Sequence, residues 1–164
     1  MTIDVMSDVA LVRFPIKEAE YLQAYIARSG RLSTVSGGRR LQALVGKPGY
    51  NNSWAFPSRL TSAKEVFGHA LPHLEEILFK HTHFRLYRPF IPSDAAHSLE
   101  SHFLFHPVPG IAGITGISGA GAVYRWRFGI CFTCIDETSN ASMTYWKTGH
   151  MVPGLSFCPY HQES

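Results

Sequence analysis

Apolar runs of membrane-spanning length are missing from this 164-residue chain, which argues against a helical membrane anchor. The opening segment Met1–Asp8 has neither a basic n-region nor an apolar h-region, so no secretory leader is expected. Charged residues are scarce at 16%, against 45% hydrophobic, a balance that excludes an intrinsically disordered chain. Neither sign of charge dominates: 15 Lys plus Arg face 12 Asp plus Glu, for a net charge of +3. That surplus permits nucleic-acid binding without requiring it. Internal repeats and low-complexity tracts are absent. So are phosphate-cradling loops: the stretch containing Gly110, Gly113, Gly116, Gly119 and Gly121 matches neither G-x-G-x-x-G nor G-x4-G-K-[ST]. It reads instead as a small-residue helix face or a flexible connector, and no nucleotide hydrolysis is expected.

Cysteine is rare too, but its few copies are concentrated. The three cysteines of the chain fall in Cys131-Phe-Thr-Cys134 and Cys158-Pro-Tyr-His161. Two short clamps, C-x2-C and C-x2-H, place two donors each on one side of a tetrahedral ion, so Cys131, Cys134, Cys158 and His161 are the expected zinc ligands. Three thiolates and an imidazole close the coordination sphere, which suits a structural zinc rather than a catalytic one with an open position. The centre carries one net negative charge, which Arg125 and Arg127 are placed to offset. His150 is a competing donor, expected to support the knuckle from outside the ligand set. The alternatives are three unrelated buried thiols, or a redox C-x-x-C that leaves Cys158 and His161 unexplained. With the cysteines committed to metal, a reducing cytoplasm is the expected compartment.

Hydrophobic periodicity predicts a mainly α protein: a compact helical body over residues 1–123 and a small β-containing zinc knuckle over 124–164. Helices are expected from Lys17 to Ser29 with Gly30 as the stop, and around Leu41–Val45 after a cap at Ser33 or Ser36. Further helices are expected with Pro57 in a first turn, from Ser62, over Pro72–Lys80 with Leu74, Ile77 and Leu78 inward, and after Ser93 through Phe105. Tyr124–Phe128 alternates like a strand leading into the first clamp. His81-Thr-His83-Phe-Arg-Leu-Tyr reads as a core plug with Phe84, Leu86, Tyr87 and Phe90 inward, because histidines two apart do not share a helix face. Trp126 and Trp146 are expected to form the small core of the knuckle.

Three segments together resemble the TniQ family, most closely its TnsD-type members. They are Phe14-Pro with the helix that ends Ile26-Ala-Arg-Ser-Gly30, the stretch His81-Thr-His-Phe-Arg-Leu-Tyr-Arg-Pro-Phe90, and the tail from Arg127 through Cys131, Cys134, Tyr145-Trp146, His150, Pro153 and Cys158 to His161. The resemblance implies an adaptor for target-site selection in bacterial transposition, cytoplasmic and nucleoid-associated. Such an adaptor binds double-stranded DNA or rides on an RNA-guided effector complex, and recruits the AAA+ regulator TnsC. Family members continue past this knuckle into further helices, so the chain is expected to be an N-terminal portion or a minimal form.

For DNA-backbone contact the candidates are Arg39, Arg40, Lys47 and Arg59, then Arg125, Arg127 and Lys147 near the metal. Gly37-Gly38-Arg39-Arg40 sets adjacent guanidiniums near an expected helix start, a favourable place for phosphate. An enzyme is the competing class. A zinc-linked nuclease has only Asp136 and Glu137 beside the clamp, and a deaminase needs proline before C-x-x-C, where this chain has Ile130. A protein-interaction module that docks on TnsC or an RNA-guided complex without touching DNA is the remaining alternative.

Overall fold

The computed structural model describes residues 11–33, 57–114, 129–139, 144–152 and 155–162. The described residues are mainly helical: α1 (Leu22–Leu32), α2 (Leu60–Phe67), α3 (Leu74–Lys80), α4 (Phe84–Tyr87), α5 (Ser93–Leu104), α6 (Ile111–Ile114) and α7 (Phe132–Ser139). No helix among them is long and apolar enough to cross a membrane. The apolar positions recur at three- and four-residue steps, as in Leu60, Ala63 and Phe67 of α2 or Ala96, Leu99 and Phe103 of α5, so each helix turns one face inward. These faces meet Tyr25 and Ile26 of α1 and Ile77 and Leu78 of α3 in one buried cluster. Edge-to-face contacts of Tyr25 with Phe67 and of Phe84 with Phe103 fix the orientation of its largest rings.

The first helix departs from its periodicity at both ends. It starts at Leu22 rather than Lys17 because residues 17–20 form a turn: Ala19 takes a φ of +54°, and the Glu20 carboxylate accepts the Lys17 N–H at 2.9 Å. It also runs through Gly30. The stop is Ser33, whose N–H and hydroxyl both donate to the Ser29 carbonyl, at 3.1 and 2.6 Å. Ser33 therefore closes α1; Ser36 and the stretch Leu41–Val45 lie outside the described residues. Pro57 lies outside the helix: α2 begins at Leu60 behind Arg59, whose φ of +62° breaks the chain direction, and it absorbs the start expected at Ser62. Gly68 ends α2 with a φ of +58°, a conformation that side chains resist. The helices at Leu74 and Ser93 match their expected positions to within two residues.

One aromatic is placed differently. Phe90 is 83% exposed, because Arg88–Phe90 forms a 3-10 turn that carries its ring away from the core. Phe84 is buried as expected, while Leu86 and Tyr87 are half-buried. No β ribbon is present among the described residues, where Glu20 and Lys147 form an isolated antiparallel bridge; Tyr124–Phe128 lies outside them.

That bridge fastens the C-terminal end to the body. The Tyr21 N–H donates to the Trp146 carbonyl at 2.8 Å, and the Thr148 N–H to the Ala19 carbonyl at 2.7 Å. The Thr148 hydroxyl lies 2.8 Å from the Ala19 carbonyl and 2.9 Å from that of Lys80. From the other side, His81 Nδ1 lies 2.7 Å from the Glu20 carbonyl, so that nitrogen carries the proton, and the Leu22 N–H donates to the His81 carbonyl at 2.9 Å. Tyr21, Ala24 and Met151 pack into a small second core beside this joint.

The side chain of Glu20 is fully buried there and is held by both Nε and Nη2 of Arg28, at 2.8 and 2.6 Å. The guanidinium in turn stacks on Phe14 at 4.0 Å. Removing one partner of a buried pair leaves the other charge uncompensated, so Glu20→Ala is expected to cost about 3–5 kcal/mol in denaturant unfolding. His83 sits nearby, 2% exposed, with its ring 4.8 Å from Tyr21. Burial lowers its pKa from 6.5 to about 4, against a backbone hydrogen bond with Thr148 that raises it. The unfolded chain therefore takes up that proton first. Stability is expected to be full above about pH 6.5 and to fall by on the order of 3 kcal/mol as pH drops toward 4. A chemical-shift titration of the His83 ring alongside unfolding curves at pH 7 and pH 5 checks this.

Candidate metal centre

Cys131 stands immediately before α7 and Cys134 lies in its first turn. Three residues apart on a helix share a face, so both sulfurs point to the same side, and the Cys134 N–H donates to Cys131 Sγ at 3.4 Å. The positive end of the α7 dipole favours thiolate character at this spot. The second clamp is a turn closed by the Gln162 N–H on the Cys158 carbonyl at 2.7 Å. Gln162 adopts a φ of +56° to leave it. Backbone N–H groups of Tyr160 and His161 hydrogen-bond the Cys158 sulfur.

The turn Thr148–Met151 packs against both clamps. The Gly129 N–H donates to the His150 carbonyl at 3.1 Å. A Cβ on Gly149 would stand 2.7 Å from Pro159 Cγ and 3.1 Å from the Tyr160 ring. Glycine at 149 is thus required by proximity, and it lets the turn lie flat against the second clamp.

The donor atoms of Cys131, Cys134, Cys158 and His161 all lie within 4.8 Å of one another, with the three cysteines buried. His161 Nδ1 is 3.4 Å from Cys131 Sγ, 3.4 Å from Cys134 Sγ and 3.7 Å from Cys158 Sγ, and Cys134 Sγ is 3.7 Å from Cys158 Sγ. These four of the six separations match the edges of a regular tetrahedron whose centre stands about 2.1–2.3 Å from each corner, the length of a bond from nitrogen or sulfur to a metal ion. The four residues expected from the sequence are therefore brought together in an arrangement that can hold a metal ion.

The electrostatics of the cluster differ from thiol to thiol. Burial, with hydrogen bonds to Cys158 and Cys131, pushes the Cys134 thiol up to about 12. Burial also works to raise Cys158, but hydrogen bonds from the Tyr160 and His161 amides and from Cys131 and Cys134 together outweigh it and bring that thiol below its ordinary value. Crowded thiols of this kind release their protons to a divalent cation. Glu137 Oε1 lies 3.0 Å from His161 Nε2 and is the main cause of the raised His161 pKa. An Nε2–H donated to that carboxylate leaves the Nδ1 lone pair facing the sulfurs, an orienting role typical of carboxylates behind metal-bound histidines. The sequence offers Glu137 only as a candidate nuclease carboxylate. The available signal was its spacing three residues after Cys134, which puts it on the clamp's face once 132–139 is helical.

Lys147, a candidate for DNA contact, has its amine 3.7 Å from Cys134 Sγ and 4.6 Å over the Tyr160 ring. It is placed to offset the centre's charge, the role expected of Arg125 and Arg127. Those two, with Arg39, Arg40 and Lys47, lie outside the described residues, as does Trp126. Arg59 caps α2 on the helical body, where its carbonyl accepts the Ser62 N–H at 3.0 Å. Trp146 is 39% exposed and lends its carbonyl to the joint more than its ring to a core. His150 lies closer to the cluster than expected, with Nε2 3.4 Å from Cys134 Sγ and 3.5 Å from Cys158 Sγ.

Because Glu137 orients His161 without touching the cation, Glu137→Gln is expected to weaken metal affinity by about 10- to 100-fold while leaving one site per chain. Competition with a chromophoric chelator measures this. No protein-family model matches the chain, and no curated protein matches it.

Proposed function

We propose that the chain is a non-enzymatic adaptor of the TniQ type, with a structural zinc ion at the Cys131–Cys134–Cys158–His161 centre, that engages double-stranded DNA and recruits an AAA+ regulator such as TnsC from the bacterial cytoplasm. The observation that carries this reading is a convergence. The three segments on which the resemblance rests are far apart in sequence, yet they meet at one joint: Ala19–Tyr21 of the opening, Lys80 and His81 at the second motif, and Trp146–Thr148 of the tail.

Zinc is favoured by the donors. Three sulfurs and one imidazole at tetrahedral edges fit bonds of about 2.3 Å to sulfur and about 2.0–2.1 Å to nitrogen. Four protein donors fill a tetrahedral ion and leave no position for a catalytic water. The Glu137 carboxylate that a nuclease would need is already engaged by His161. Docking without DNA is the second reading, and one observation favours it: Phe90 and Phe132 are 83% and 78% exposed, each an apolar ring that a protein partner could cover.

Elemental analysis of protein purified without chelators is expected to give one zinc per chain. Duplex binding is expected to weaken steeply as salt rises, by about one power of ten in affinity per tenfold salt for each phosphate engaged. Arg39→Ala with Arg40→Ala should lower that affinity without lowering the melting temperature. Salt-independent affinity, with TnsC still captured, favours the docking module over the DNA-binding adaptor.

A further inference from the structure

We propose that His150 is a second imidazole ligand of the metal centre, held in reserve, which takes the fourth coordination position when His161 leaves it. The inference rests on reading the four-donor cluster as a metal site. Its geometric basis is a likeness toward two of the three sulfurs. His150 Nε2 lies 3.4 Å from Cys134 Sγ and 3.5 Å from Cys158 Sγ, while His161 Nδ1 lies 3.4 and 3.7 Å from the same two sulfurs. His161 Nδ1 is also 3.4 Å from Cys131 Sγ, so His150 completes the fourth position only by moving toward that sulfur.

His150 is also the better anchored of the two. Its carbonyl accepts the Gly129 N–H at 3.1 Å, its N–H donates to Lys147 at 3.0 Å, and its ring meets Tyr160 edge-on at 5.6 Å. His161 is steadied through Glu137, whose side chain is 55% exposed. Cavities of about 270 and 140 Å³ both have His150 in their walls, along with Cys131. They leave open space beside the imidazole.

In the exchange, the bond from the metal to His161 Nδ1 breaks as the bond to His150 Nε2 forms. Both imidazoles are neutral donors and all three thiolates stay bound, so the net charge of the centre is unchanged and no proton passes to water. His161 keeps its Nε2 proton on Glu137, and His150 carries its own on Nδ1. A purely supporting His150 would do the reverse, donating an Nε2–H to the sulfurs. Glutamine preserves that donor but is a poor ligand, so it separates the two roles.

The experiment loads the full chain with Co²⁺ and follows its visible absorption in four proteins: the native chain, His161→Ala, His161→Ala with His150→Gln, and His150→Gln alone. His161→Ala is expected to hold one Co²⁺ in an intense tetrahedral spectrum, with affinity lowered by on the order of 10- to 100-fold. The double variant is expected to fall at least tenfold further, with its spectrum altered. Equal affinities and spectra for the single and double variants overturn the proposal, as does a folded His161→Ala that binds no metal. Should His161→Ala not fold, His150→Gln alone decides. It is expected to release Co²⁺ to excess chelator several-fold faster than the native chain, and an unchanged rate overturns the proposal. A native chain that binds no metal at all refutes the metal centre itself, a different result from any of these.

Discussion

The carbonyl of Ala19 is where the two ends of this protein are fastened. It receives both the amide and the hydroxyl of Thr148, and it is turned toward them because Ala19 adopts a left-handed conformation that alanine disfavours. Strain of this sort persists only when the surroundings over-determine it. Here they do so from three directions: the Glu20 carboxylate drawing in the Lys17 amide, His81 holding the next carbonyl, and the strap of residues 145–148 alongside. The buried Glu20–Arg28 pair lies at the same spot, so a charge that would be costly alone is compensated where the chain turns.

The metal centre and this joint are mechanically continuous. Lys147 contributes its backbone to the bridge with Glu20 and its amine to the Cys134 sulfur. Thr148 binds the body, and His150, two residues on, faces Cys134 and Cys158. A short, tightly packed segment therefore reads both the turn at Ala19 and the arrangement of the thiolates. Small end-pieces rarely bury enough apolar surface to fold alone. This one has two supports, four donors that can hold a cation and backbone hydrogen bonds to the helical body.

What was legible in the sequence divides along physical lines. The four donors were readable because clamp spacing is a local property, fixed by one helical turn and one tight turn whatever surrounds them. The helices at Leu74 and Ser93 were readable because apolar periodicity is local too. Glu20 was not, since a lone acidic residue near a helix start looks like a surface charge until a distant strap covers it. The early start expected at Lys17 failed for the same reason: the turn at Ala19 is stabilised by Thr148, 129 residues away. Phe90 was misplaced because a 3-10 turn rotates side chains by a different angle than the α-helical period assumes. Glu137 needed the helicity of 132–139 to be known before its three-residue offset from Cys134 had meaning.

Gly149 shows how such a joint constrains substitution. Its backbone is not in the left-handed region, so torsional preference alone would accept alanine there. Refusal comes instead from a neighbour, the rim of Pro159. A side chain at 149 would force Pro159 Cγ to give way by a few tenths of an ångström, through a change of ring pucker or a shift of the turn that carries it. The identity of that one residue is thus a measure of how closely the Pro159 turn packs against Thr148–Met151.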